Sequence, residues 1–289
     1  MKVATRSSAL ALAQAGTVAE ALGPEAELVE AAGDLPPESG DKERFVRGVE
    51  RMVLDGAAEA GVHSAKDLPG KMTSGLAIGA VPRRADPRDV WIGPGSSIGE
   101  IPQGARVGTA SLRRRAQLLA LRPDLRMVEL RGNVDTRLRK LEAGEADGLV
   151  LAAAGLERLG RTDVISFFFD ERQLTPAAGQ GCLVVQTRAG REELVAGIGD
   201  EGSMTRLLAE RAAVVGLDAD CSSPVGIHAR HEAGSLTIEG FAGRSDGSVW
   251  VRDRIEGDPA RPESLGQELA RRMISAGAAE AMAGSTLSG

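Results

Sequence analysis

Short apolar runs alternate with amphipathic segments along the first two-thirds of the chain. The period-two and continuous apolar patterns predict strands at Lys2–Thr5, 27–31 and 61–64. The 3.6-residue pattern predicts helices at 8–22 and 43–54. Such a rhythm of strand and helix is typical of α/β units.

A polar stretch punctuated by proline, at residues 83–89, interrupts this rhythm and predicts a crossing between domains. A second α/β series follows it. We expect strands near 105–109, 126–130 and Gly148–Ala152, separated by helices Leu112–Leu121 and Val134–Glu142. The apolar run at 181–187 predicts a strand that could return to the first domain, which would give a double hinge.

The pattern changes near residue 203. The expected elements are a helix at 203–217, strands at 236–241 and 248–255, and a helix at 262–276, which together indicate a small α+β domain with an antiparallel sheet. The predicted fold class is therefore α/β, with a third, smaller domain. The expected boundaries are 1–82 with 181–200 for domain 1, 87–175 for domain 2 and 203–289 for domain 3.

Composition narrows the function classes. The 289 residues include 35 Lys and Arg against 41 Asp and Glu, so the formal net charge of −6 does not favour nucleic acid or an anionic membrane as partner. The two cysteines, Cys182 and Cys221, are too few for a disulfide framework, although a single bridge between them stays open. With no apolar run typical of a signal peptide or a membrane span, we expect a cytoplasmic protein.

Arginines stand at three predicted turns from strand to helix. Arg6, the pair Arg113 and Arg114, and Arg131 each lie next to a helix start, with Ser8, Ser111 and Asn133 as the expected N-caps. Cations at a helix N-terminus oppose the helix dipole, which suggests that anions occupy these turns. Between Arg106 and Lys140 there are ten basic and three acidic residues. We assign anion binding to Arg113, Arg114, Arg131 and Arg137, and a solvated helix face to Arg115, Arg122 and Arg139.

The segment 62–69 closes another predicted strand and places Lys66 beside Asp67 ahead of a proline. Asp67 is either a structural cap or a carboxylate that faces an anion-binding cleft, where it would stabilise a developing cation or carry a proton. His63 is interpreted as a packed strand residue.

Cys221 lies in a turn-rich loop at 216–226, whereas Cys182 lies in an apolar strand and is expected to be buried and inert. A covalent role for Cys221 needs activation from elsewhere, because Asp218 and Asp220 would raise the pKa of its thiol. His228 and His231 lack a third ligand nearby, and we predict no metal site.

Taken together, several segments resemble the porphobilinogen deaminase (hydroxymethylbilane synthase) family over essentially the whole chain. They are residues 5–11, 62–69, 107–114, 130–137 and 176–181, and Cys221 with the following Pro224, Val225 and Gly226. The resemblance implies two domains like those of periplasmic binding proteins around a cleft, plus the small third domain. It also implies a monomeric enzyme of heme and tetrapyrrole biosynthesis with porphobilinogen and pyrrole-chain intermediates as its partners.

The resemblance further implies a dipyrromethane cofactor joined to Cys221 by a thioether, with Asp67 as the catalytic carboxylate. Asp67 would assist the loss of ammonia from porphobilinogen and stabilise the azafulvene cation. Four units would be added before hydroxymethylbilane is released by hydrolysis. By the same resemblance, the cofactor would be bound by Lys66, Thr109, Ser111, Arg113, Arg114 and Arg137, and the substrate by Arg6, Ser8, Phe45, Arg131 and Arg158.

One segment departs from the family pattern, since Asp41 and Glu43 stand near Lys42 and Phe45 where small residues are usual. These substitutions stiffen the loop at 40–45 and add negative charge near an anionic product, so its mobility stays an open question.

The rival hypothesis is a non-catalytic solute-binding protein for a small dicarboxylate, since arginines between two hinged α/β domains would also suit that role. A nucleic-acid or phosphate binder built on residues 111–115 is a weaker hypothesis.

Overall fold

The computed structural model describes residues 1–31, 41–220 and 222–283, and only the backbone of residues 41–45. The strands are β1 (Lys2–Thr5), β2 (Glu27–Glu30), β3 (Ala60–Ser64), β4 (Leu76–Ala80), β5 (Asp89–Ile92), β6 (Arg106–Gly108), β7 (Arg126–Val128), β8 (Gly148–Ala152), β9 (Phe167–Phe168), β10 (Leu183–Arg188), β11 (Val225–Glu232), β12 (Ser235–Gly243) and β13 (Trp250–Gly257). The α-helices are α1 (Ala9–Leu22), α2 (Asp41–Leu54), α3 (Leu112–Leu121), α4 (Val134–Glu142), α5 (Ala153–Arg158), α6 (Glu201–Gly216), α7 (Pro262–Ser275) and α8 (Ala278–Met282).

Two five-stranded sheets share one architecture. The first has the order β2-β1-β3-β10-β4 and the second β7-β6-β8-β5-β9. In each sheet three strands run parallel and the fourth is antiparallel to both of its neighbours. The antiparallel strand of each sheet, β10 or β5, is the one that follows a crossing from the other sheet. The predicted pair of α/β units with a returning strand at 181–187 is therefore confirmed.

The third sheet is a small antiparallel one of β11, β12 and β13 in that order. Helices α6 and α7 supply Ala209, Ala213, Leu269 and Met273 to the apolar core against this sheet. This arrangement confirms the predicted α+β class of the C-terminal part.

Two crossing segments connect the sheets: the first joins β4 to β5 (residues 81–88) and the second joins β9 to β10 (residues 169–182). They contact one another. The N–H of Ala85 donates to the carbonyl of Gly181 at 3.2 Å. Gly181 has a φ of +88°, and a Cβ on it would lie 2.5 Å from the Ala85 carbonyl oxygen, so the contact needs glycine here.

The polar stretch at 83–89 was predicted as a crossing, but its last residue, Asp89, already begins the buried strand β5. The patterns also missed β4 and β11, the first because Gly79 interrupts a short run and the second because two histidines and an arginine lie within it. No helix in the described ranges is long and apolar enough to cross a membrane.

Candidate active site

The turn after β3 carries the predicted catalytic carboxylate. Residues Ala65–Asp67 form a 3-10 turn, and the N–H of Ala65 donates to the carbonyl of Cys182 at 3.1 Å, which fixes the start of the turn against β10. The Asp67 side chain is half-buried, and no described residue lies within hydrogen-bond or ion-pair distance of its carboxylate. Asp67 is therefore not a structural cap.

Two cations, Arg6 and Lys66, interact with this carboxylate by their charge. Burial lowers the pKa of Arg6, and the charge of Asp67 partly offsets that effect. Ser8, two residues further, caps α1 as predicted, since its Oγ accepts a hydrogen bond from the Ala11 N–H at 3.3 Å. His63 is buried, and burial lowers its pKa to about 4, so it is neutral near pH 7 and suits the predicted role of a packed strand residue.

The start of α3 supplies a second set of groups. Ser111 caps this helix by accepting from the Arg114 N–H at 3.4 Å, and Thr109 Oγ1 accepts from the Ser111 N–H at 3.2 Å. The two hydroxyl groups thus hold the turn that presents Arg113 and Arg114. Both serine and threonine act here on the backbone of the protein itself.

Arg113 and Arg114 are buried and share a carboxylate that the sequence patterns had not singled out. Asp89 is fully buried, with its Oδ2 2.8 Å from Arg113 Nη1 and its Oδ1 2.8 Å from Arg114 Nη2. These guanidinium groups hold the pKa of Asp89 far below its usual range, although burial opposes them. The only sequence signal for this role is an aspartate at the first position of a short apolar run.

Two further cations lack such a partner. Burial and the nearby charge of Arg114 lower the pKa of Lys66 to about 8. The same two causes lower the pKa of Arg137 to about 10, and its buried Nε has no hydrogen-bond partner among the described residues. Burial is the larger cause of both shifts, and a bound anion would stabilise the charged form of either group.

The charges of Lys66 interact with those of Arg113, Arg114 and Asp89 as well as Asp67, so groups from both five-stranded sheets meet here. Among the described residues, four cations therefore lie with two carboxylates at this place: Lys66, Arg113, Arg114 and Arg137 with Asp67 and Asp89. An acidic ligand would restore the balance. The unpartnered Nε of Arg137 is an observation that fits a ligand with carboxylate side chains, such as a dipyrromethane.

Other predicted residues lie elsewhere or cannot be placed. The Arg131 side chain is 72% exposed and pairs with Glu129, whereas Arg158 is half-buried and donates from Nη2 to the carbonyl of Gly181 at 2.8 Å. Cys221 and the side chain of Phe45 lie outside the described residues. Cys182 is buried, as predicted, and burial raises its pKa to about 11, which disfavours the reactive thiolate.

Comparison with known proteins gives the family. Residues 1–196 match the family model described as porphobilinogen deaminase, dipyromethane cofactor binding domain. Residues 204–275 match the one described as porphobilinogen deaminase, C-terminal domain. Similar curated proteins include the porphobilinogen deaminase of Thermus thermophilus, 45% identical with 97% of each chain covered. That of Deinococcus deserti is 42% identical with 96% of each chain covered.

Solved structures of similar shape are periplasmic domains. A TRAP periplasmic solute binding protein from Desulfovibrio salexigens is 12% identical, covers 69% of this chain and 72% of its own, and has a TM-score of 0.41. The Bordetella pertussis BvgS periplasmic VFT2 domain is 15% identical, covers 68% of this chain and 84% of its own, and also has a TM-score of 0.41. The family models confirm the predicted function and the dipyrromethane cofactor, and the chain belongs to the porphobilinogen deaminase family of transferases.

Proposed function

We propose that this chain forms carbon–carbon bonds between porphobilinogen units with loss of ammonia, four units being added to a dipyrromethane held by a thioether at Cys221. Hydrolysis then releases hydroxymethylbilane. The observation that carries the proposal is the contrast between two carboxylates at one cationic site. Asp89 is fully buried and saturated by two arginines, whereas Asp67 is half-buried and unpaired.

When bound, the dipyrromethane supplies the pyrrole terminus to which the first unit is joined. Arg137 and Lys66 pair with no carboxylate among the described residues, and both would hold the carboxylate side chains of the dipyrromethane. Arg113 and Arg114 would contribute mainly their positive charge, because they are buried and also donate to the carbonyls of Thr175 and Val150. Charge-assisted hydrogen bonds of this kind contribute about 1.5–3 kcal/mol each.

Asp67 acts on the incoming unit. As the carbon–nitrogen bond breaks, the protonated amine leaves as ammonia, and the positive charge passes to the methylene carbon and the pyrrole nitrogen. A carboxylate beside that pyrrole N–H stabilises the charge and can accept the N–H hydrogen bond. The charges of Arg6 and Lys66 interact with Asp67, while no described residue hydrogen-bonds to its oxygens.

The principal test uses Asp67→Asn, which keeps the shape of the side chain and removes its charge. We expect correct folding, normal cofactor content by intact-mass measurement, and a fall in turnover of about 10²- to 10⁴-fold. Turnover near the wild-type rate would remove Asp67 from the chemistry.

The attachment of the dipyrromethane to Cys221 is tested by substituting each of the two cysteines in turn. Wild type and Cys182→Ala should both show the mass of two added pyrrole units, and Cys221→Ser should lack it. An unmodified mass for active wild type would contradict attachment at Cys221.

Substrate binding is proposed for Arg6, Ser8, Arg131, Arg158 and Phe45. Of these, Arg6 is supported by its charge interaction with Asp67. A monomeric state, a cytoplasmic location, the absence of nucleic-acid binding and the three domain boundaries stay predictions. Membership of an enzyme family does not favour the alternative of a non-catalytic solute-binding protein. A protein of that kind would release its ligand on dialysis and would produce no ammonia.

A further inference from the structure

Helix α6 runs from the crossing segments to the loop of Cys221. At its start, Asp200 caps the helix and Ser203 Oγ accepts from the Arg84 N–H of the first crossing at 2.9 Å. At its end, Gly216 is followed within five residues by Cys221. One rigid element therefore leads from the hinge region to the proposed anchor.

One arginine on this helix holds the chain that follows Asp67. Arg211 Nη2 donates to the carbonyl of Pro69 at 2.8 Å and to the carbonyl of Gly70 at 2.9 Å, and it lies 3.5 Å from Met72 Sδ. In the described part of the chain, no backbone N–H donates to either carbonyl. The guanidinium group is therefore the hydrogen-bond donor that fixes these two peptide groups.

Among the described residues, no ion pair accounts for the position of Arg211. No carboxylate of the described residues pairs with it, and burial lowers its pKa. A half-buried arginine that donates to two carbonyl oxygens and contacts a thioether, with no acid beside it, acts on the backbone it binds rather than in an ion pair.

Packing presses the same segment against the same face of α6. Leu68 shares an apolar cluster with Leu207, and a Cβ on Gly70 would lie 3.1 Å from Val215 Cγ2. Leu207, Arg211 and Val215 follow one another at intervals of four, so they form one stripe along the helix. Residues 68–70 thus lie along α6, with Arg211 at the middle of the contact.

We propose that Arg211 is a positioning residue for the reaction, which fixes Asp67 relative to the loop of Cys221. It stands about one and a half helical turns and a short loop before Cys221, and it binds the chain two and three residues after Asp67. The inference rests on the proposed function for the roles of Asp67 and Cys221. A shift of about 1 Å in a catalytic group can cost about 10²-fold in rate, so a clamp at this point controls turnover.

The experiment uses the full-length protein with its cofactor and compares Arg211→Met, Arg211→Lys and the control Arg272→Met. Arg272 likewise joins two elements, α7 and β13, because its Nε and Nη2 donate to Asp253 Oδ2 and Oδ1 at 2.7 Å and 2.9 Å. It makes no hydrogen bond to residues 65–72. Two quantities are measured: hydrogen–deuterium exchange of peptides covering 65–76, and turnover per cofactor-bearing molecule, with loading taken from the intact mass.

For Arg211→Met we expect faster exchange at 68–72 and a loss of turnover of about 10- to 100-fold, with cofactor loading and KM close to wild type. Lysine can donate to one of the two carbonyls, so Arg211→Lys should lie between wild type and Arg211→Met. Arg272→Met should match wild type in both measurements. Because Pro69 and Gly70 are exposed, water can replace the lost donor and Arg211→Met should fold.

Two results would overturn the inference: unchanged exchange at 68–72 in Arg211→Met, or turnover per loaded molecule equal to wild type. A lower thermal midpoint with full turnover would mean that Arg211 is a structural contact only, and the inference would fail. If wild type carries no pyrrole adduct, the proposed function itself fails, which is a different result from normal turnover in a loaded variant.

Discussion

The buried carboxylate of Glu210 on α6 offers the sharpest test of how the crossings are held. Glu210 and Arg84 form an ion pair of 2.6 Å with side chains 0% and 2% exposed. Glu210 Oε2 accepts from the Gly179 N–H at 2.6 Å and Oε1 from the Ala229 N–H at 2.8 Å. One side chain therefore joins α6, both crossing segments and β11.

The change Glu210→Gln keeps the volume of the side chain and removes its charge. Each carboxylate oxygen receives one backbone N–H and one guanidinium N–H, so an amide nitrogen at either position faces two donors. Breaking a buried pair from one side typically costs about 3–5 kcal/mol. The arginine charge is then left without a partner.

The pKa of Glu210 leads independently to a similar contribution of this carboxylate to the free energy of unfolding. Arg84 and His228 lower this pKa from 4.5 to about 2, although burial opposes them. A carboxylate whose pKa is lower in the folded state stabilises the fold above pH 4.5 and loses that contribution as the pH falls through about 2. The difference corresponds to about 3 kcal/mol near neutral pH.

Urea unfolding followed by circular dichroism at pH 7 and at several lower pH values tests this prediction. We expect Glu210→Gln to lose about 3–5 kcal/mol at pH 7 and to show a flatter decline of stability between pH 4.5 and 2 than wild type. The control Asp253→Asn removes a partly exposed pair with Arg272 and should cost about 1 kcal/mol or less. A loss in Glu210→Gln no larger than in this control would refute the argument from burial.

Two predictions concern the cations of the site. The pKa of Lys66 is lowered from 10.5 to about 8, so the unfolded chain binds this proton more tightly than the folded one, and the stability of cofactor-free Cys221→Ser should rise between pH 8 and 10.5. In the double variant Cys221→Ser with Lys66→Met, the urea midpoint should lack part of that rise. An identical rise in both variants would contradict the assignment. Removing the unpartnered cation in Arg137→Met should leave the cofactor-free protein as stable as before or more so, and should shrink the difference in thermal midpoint between loaded and cofactor-free protein. An unchanged difference would mean that Arg137 does not bind the cofactor.

The sequence predicts the elements well where periodicity and caps agree. Helices Leu112–Leu121 and Val134–Glu142 have the predicted bounds, and Ser8, Ser111 and Asn133 cap their helices as expected. Local chemistry decides these features, because a cap bonds to N–H groups within three residues. Strand β11 was missed since its polar residues gain partners only in the fold, such as Glu171 for His228.

The candidate site is predictable in its residue types but not in its pairing. The sequence singles out Arg113, Arg114 and Arg137 alike, since all three follow strand ends. Asp89 lies 24 residues before Arg113 in the chain, and no local pattern indicates that it reaches the two arginines. Long-range partners of this kind depend on the strand order of the second sheet, which places β5 beside β8.

The ion pairs of Asp89 also distinguish two groups of cations at the site, which the sequence alone does not distinguish. Asp89 compensates the charges of Arg113 and Arg114 inside the protein, so the start of α3 can be ordered before any acidic ligand binds. Within the described ranges, Lys66 and Arg137 have no such internal partner, and each would gain from a bound carboxylate. We therefore propose that the first pair orders the site and the second binds the ligand, because a cation already paired with a buried acid has less to gain from a ligand than one without such a partner.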